Sequence, residues 1–127
     1  MRTSPRQVRF AVERTKLVRY VQRTDGRGHV QRATLATLRE VAWFIEGHAT
    51  AGVTTNELWD ALPDVPTTQI AVALDFLKDR GCIETRGRRN YPASDCLFED
   101  AMIEFHALEH RAMDSDGEPV GQTEVTP

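Results

Sequence analysis

The sequence predicts a mainly α-helical fold carrying one small β-wing. Three observations predict it. Apolar residues recur at helical spacing in successive runs between residues 35 and 77. Those runs are punctuated by helix-start and helix-stop residues, above all Thr54-Thr-Asn-Glu57 and Gly81. After Gly81 the pattern changes to a short β-prone stretch, a basic Gly-containing turn and a second short stretch. A chain of 127 residues, 40% of them hydrophobic, can bury one small core.

The elements follow in order. Ser4-Pro5-Arg6-Gln7 has the composition of a helix start, with Ser4 as cap, Pro5 at the first position and Gln7 completing a capping box. A helix over residues 5–23 gathers Phe10, Leu17 and Val21 on one side, with Ala11 and Val18 beside them. Asp25-Gly26-Arg27-Gly28 then breaks the chain. The alternative is a hairpin around that breaker, pairing residues 17–23 with 29–34. From Thr34, Leu35, Leu38, Val41, Ala42 and Ile45 form one helical stripe. Gly47 and Gly52 bracket a loop. Thr54 to Glu57 opens a short helix with Leu58, Ala61 and Leu62 inward, and Pro63-Asp-Val-Pro66 ends it. A third helix starts at Thr67, buries Ile70, Ala73, Leu74 and Leu77, and stops at Gly81. Residues 82–85 read as a strand, 86–90 as a turn, and Tyr91-Pro92 as the return strand. Ser94 or Asp95 caps a last helix reaching Met113. In it Phe98, Ala101, Phe105, Leu108 and Ala112 recur at spacings of 3, 4, 3 and 4, a coiled-coil seam that predicts a homodimer interface. The acidic tail from Asp114, rich in Gly and Pro, is expected to be disordered.

The net charge of −3 conceals separated blocks. Residues 1–39 hold ten Lys or Arg against two acidic residues, and residues 93–127 hold nine acidic residues against one Arg. A basic block of that kind points to a polyanionic partner. No apolar run is long enough for a membrane span, and no apolar stretch follows Met1-Arg-Thr-Ser-Pro-Arg6, so the cytoplasm is the expected compartment. Cys82 and Cys96 make neither a disulfide framework nor a zinc pattern. His106-Ala-Leu-Glu109-His110 spells the inverted zinc-protease motif, and Glu104, His106 and His110 are weak metal candidates. No third ligand or cleft accompanies them. No phosphate loop, nucleophile elbow or carboxylate pair is present either. The expectation is therefore a non-enzyme with no cofactor, no metal and no small-molecule substrate.

Three segments carry a resemblance: Gly52-Val-Thr-Thr-Asn-Glu-Leu-Trp-Asp-Ala-Leu62, then Pro66-Thr-Thr-Gln-Ile-Ala-Val-Ala-Leu-Asp-Phe-Leu-Lys-Asp-Arg-Gly-Cys-Ile-Glu-Thr-Arg86, then Gly87-Arg-Arg-Asn-Tyr91. In this order they resemble the winged helix-turn-helix family. The resemblance implies a winged helix-turn-helix domain over residues 34–93, between a basic N-terminal helix or arm (1–33) and a C-terminal dimerisation helix (94–113), with the tail at 114–127. It also implies that the helix at 67–80 enters the major groove of double-stranded DNA with Thr67, Thr68, Gln69 and Val72 leading. Arg86, Arg88, Arg89 and Asn90 of the wing would then touch backbone or minor groove. Arg2, Arg6 and Arg9 would add phosphate contacts. A small dimeric transcriptional regulator with a sequence preference is the expected function. The alternative is a winged helix used only for docking protein.

Overall fold

The computed structural model describes residues 7–23 and 26–116, with residues 112–116 described for their backbone alone. The chain begins with three strands, β1 (Gln7–Glu13), β2 (Lys16–Gln22) and β3 (Gly28–Thr34), in an antiparallel sheet ordered β1-β2-β3. The N-terminal helix expected over residues 5–23 is therefore absent across the described part, and its capping residues Ser4 to Arg6 lie outside the described residues. The hairpin alternative has the right partners: Leu17 faces Ala33 and Val21 faces His29. Helix accounts for 46% of the structure and strand for 30%, in four helices and six strands among the described residues, which overturns the mainly α fold class.

Period-two alternation explains the sheet. Val8, Phe10 and Val12 of β1 lie opposite Val21, Arg19 and Leu17 of β2 and share one face. Val12, Leu17 and Ala33 from that face join the main core. The β1–β2 turn is made by Arg14 and Thr15, both with positive φ, 52° and 64°. Two such residues make the type I′ geometry that matches strand twist, normally supplied by Asn and Gly. Arg and Thr adopt it at a cost in backbone strain.

The rest of the chain follows the expected order. Helix α1 (Leu35–Glu46) is capped by the Thr34 hydroxyl, which accepts from the Thr37 N–H at 3.1 Å, and buries Leu38, Val41, Ala42 and Ile45. The two-residue strand β4 (Val53–Thr54) leads into α2 (Thr55–Ala61). Its capping box is complete: the Thr54 hydroxyl accepts from the Glu57 N–H at 3.0 Å, and the Thr54 N–H donates to the Glu57 carboxylate at 2.9 Å. That backbone bond is the main reason the Glu57 carboxyl titrates below the usual range. Helix α3 (Thr67–Asp79) ends in a Schellman motif. The Cys82 N–H donates to the Leu77 carbonyl at 2.8 Å, the Gly81 N–H to the Lys78 carbonyl at 3.1 Å, and Gly81 holds φ at 74°. Strands β5 (Ile83–Arg86) and β6 (Arg89–Pro92) form a hairpin whose inner strand also pairs with β4, giving the order β4-β6-β5. Gly87, at φ 64°, is the first central residue of the hairpin turn and supplies the conformation that a type II′ turn needs there.

Helix α4 (Leu97–Asp116) closes the core. Its start is served by Glu46 of α1, whose carboxylate accepts from the Phe98 N–H at 2.8 Å. Ser94, three residues before Leu97, instead accepts from the Cys96 N–H and donates to Asp100. The seam read as a dimer interface is interior: Ala101 and Phe105 are fully buried, Leu108 nearly so, and Phe98 is half-buried with its ring edge-on to Trp43 at 5.3 Å. These side chains pack within their own chain because α4 lies against both α1 and β1. The side chain of Ala112 lies outside the described residues. Among the described residues no helix is long and apolar enough to cross a membrane.

The two cysteines differ in access. Cys82 is buried, and burial pushes its thiol up to about 11. Cys96 is exposed, although desolvation raises it too. In mildly alkaline buffer an aromatic disulfide reagent should therefore label Cys96 in the folded protein and Cys82 only after denaturation. Both thiols reacting together in the native state would contradict this placement.

Candidate nucleic-acid interface

An open groove runs between the start of α2, the last turn of α3 and the β5–β6 hairpin. Thr54 lines it from the end of β4, Thr55 and Asn56 from α2, Lys78 from α3, and Thr85, Gly87, Arg88 and Asn90 from the hairpin. Every one of these residues is neutral or cationic. Lys78 and Arg88 are exposed, with no hydrogen bond or ion pair among the described residues. Hydroxyls, an amide and two unpaired cations suit a phosphodiester backbone, which offers only acceptors and negative charge.

The hairpin is stiffened by its other wing residues. The Arg86 guanidinium lies 4.0 Å over the Tyr91 ring, and Tyr91 packs on Gly52 so closely that a Cβ there would sit 2.7 Å from the ring. Arg89, expected at phosphate, donates to the Gly52 carbonyl at 3.2 Å and pairs with Glu57 at 3.4 Å. It ties the hairpin to α2. Asn90 is buried, donates to the Val53 carbonyl at 3.0 Å and accepts from the Thr85 hydroxyl at 2.8 Å. It joins β5 and β6 to β4, so at the floor of the groove its amide is committed within the sheet. Of the wing residues, Arg88 alone keeps both exposure and a free guanidinium in the groove.

The leading turn of α3 also differs from expectation. Thr67 and Thr68 are exposed. Val72 is fully buried, because the N-terminal sheet covers that side of α3. The Gln69 amide oxygen accepts from the Thr34 N–H at 3.1 Å and the Thr37 hydroxyl at 2.9 Å, so Gln69 holds the β3–α1 junction together. Phe10 meets Phe76 edge-on at 5.6 Å, and Arg19 pairs with Asp75 and bonds Gln31. A sheet thus occupies part of the helix surface that a base-reading helix would leave open. The sequence does not single out Lys78, Thr55 or Asn56: Lys78 is remote from the leading turn of α3, and the other two lie inside a capping motif.

Arg9 lies on the outer face of β1, over the Tyr20 ring at 4.3 Å. Arg2 and Arg6 lie outside the described residues. Glu104 pairs with Arg80 at 2.8 Å, His106 with Glu109 at 3.0 Å, and His110 is exposed. Among the described residues no three His, Cys, Asp or Glu side chains are grouped to hold a metal ion. Comparison with protein-family models, curated proteins and solved structures finds no match to this chain.

Proposed function

We propose that residues 34–93 act as a winged helix-turn-helix module that binds double-stranded DNA. The element order α1-β4-α2-α3-β5-β6, with the second sheet ordered β4-β6-β5, supports that reading. The observation that carries it is the acid-free groove with Lys78 and Arg88 at its rim. Binding on this reading is dominated by phosphates. Base preference is slight, because Gln69 and Val72 are engaged inside the chain. On this reading the α4 seam packs inside its own chain, so a two-fold arrangement would have to use another surface. A second reading, a protein-docking module, draws on the exposed Trp43 and Ile103, 64% and 63% accessible.

Fluorescence anisotropy with a labelled duplex over a salt series separates the two. The native chain should bind at low salt and weaken steeply as salt rises. Lys78→Ala with Arg88→Ala should lower the slope of log affinity against log salt by about two phosphates' worth while leaving the fold intact. No binding at low salt supports the docking reading, and an unchanged slope in the variant removes the groove from the interface.

A further inference from the structure

We propose that the outer face of β1–β2–β3 is a second surface for duplex DNA, so that one chain holds two duplex segments at once; this rests on the DNA-binding reading of the groove. Strand register sets the composition of that face. Arg9, Tyr20 and Val30 lie side by side across the strands, then Ala11, Val18 and Arg32, then Glu13, Lys16 and Thr34. A solvated sheet face commonly sets opposite charges across from one another. Here Glu13, the one acidic residue of the face among the described residues, accepts from the Tyr20 hydroxyl. Lys16 and Arg32 are exposed and carry no ion pair among the described residues, and Arg14 and Arg23 stand exposed at the strand ends. The Tyr20 hydroxyl titrates above the usual phenol range, chiefly because it donates to Glu13; Arg9 and Arg32 oppose the shift, which places both guanidiniums within electrostatic reach of it. The face therefore sets three cations, Arg9, Lys16 and Arg32, against the single carboxylate of Glu13, which lies across from Lys16, and a polyanion complements that excess.

The chemistry favours a duplex over a single strand. Single strands need open aromatic rings for base stacking. The Tyr20 ring is covered by Arg9, its hydroxyl is engaged, and Val18 is completely buried in the middle of the face. Beside Val30 and Glu13, the exposed side chains of the three rows are the cations Arg9, Lys16 and Arg32, which suit phosphates. The two surfaces point in different directions. Phe76 of α3 meets the inner face of the sheet at Phe10, whereas Lys78, two residues on and roughly 160° around the helix, lines the groove. The outer face of the sheet turns away from α3 altogether, so one straight duplex cannot touch both.

The test mixes two duplexes, one carrying a fluorescence donor and the other an acceptor, with the full chain in limiting amount. The native chain should bring them together and produce energy transfer. Lys16→Gln with Arg32→Gln, both exposed positions, should melt like the native protein, still bind a single duplex through the groove, and lose the transfer. The Lys78→Ala, Arg88→Ala pair should lose the transfer as well, with single-duplex affinity reduced to what the sheet alone supports. Single-duplex binding by the native chain without transfer would overturn the second surface and leave the groove reading standing. Transfer that persists in the Lys16, Arg32 variant would also overturn it. No duplex binding by the native chain would overturn both. Loss of binding to mixed phosphatidylcholine and phosphatidylserine vesicles in that variant, with energy transfer unchanged, would assign the face to a membrane surface and overturn the proposal.

Discussion

Replacing Phe105 by alanine is expected to remove about 3–5 kcal/mol of folding stability, the cost of emptying a large aromatic site in a close-packed core. Phe105 is fully buried among the residues that join α4 to α1 and β1. Small domains hold only about 5–15 kcal/mol in total, so the variant should unfold at markedly lower urea concentration. The same residue separates two accounts of α4. If Phe105 and Leu108 lay in a dimer seam, exchanging both for Glu would leave a folded monomer with its helical circular dichroism intact. With both in the interior, each new carboxylate must be buried without a partner, and the double variant should fail to fold. Urea titration followed by circular dichroism reads both substitutions. A Phe105→Ala loss below about 1 kcal/mol would place the ring outside the core.

The second large effect concerns the polar link between the N-terminal sheet and α3. Arg19 is buried on the inner face of β2, where its guanidinium pairs with Asp75 and bonds Gln31, while its Nε has no partner among the described residues. Asp75→Ala should cost about 3 kcal/mol, toward the low end for breaking a buried pair, because Asp75 keeps 31% of its side chain accessible. Most of that cost is the stranded charge of Arg19. Adding Arg19→Leu to Asp75→Ala should therefore recover much of the stability. A double-mutant cycle measured by chemical denaturation checks the coupling. If Asp75→Ala alone is neutral, the pair does not anchor the sheet.

These two sites also explain what could be read from sequence. Local chemistry was legible. Thr54 with Glu57, and Gly81 after a helical stripe, set helix ends through bonds within a few residues, and both behave as expected. The N-terminal strands were hidden for two physical reasons. Arg19 occupies an inward position and interrupts the apolar alternation of β2; only Asp75, far along the chain, makes that tolerable. The β1–β2 turn uses Arg14 and Thr15 where Asn-Gly would have announced a hairpin. Phe10, Leu17 and Val21 then fitted a helical face as well as alternate strand positions. The seam of α4 showed that a stripe is buried but not against what, since periodicity is blind to whether the partner is α1 of the same chain or a second copy. On the wing, Arg88, Arg89 and Asn90 are equally polar in sequence. Backbone carbonyls at Gly52 and Val53 separate the two structural residues from the free one.

The proposed DNA-binding role of the groove is tested most directly by titrating a short duplex into isotopically labelled protein and following backbone amide resonances. The account predicts that the largest shifts fall on Gly87, Arg88, Thr85, Thr55, Asn56 and Lys78 at the groove, with the core amides of Val41 and Ile45 unmoved. Shifts that leave these groove amides in place, or a spectrum unchanged by duplex at low salt, would contradict it.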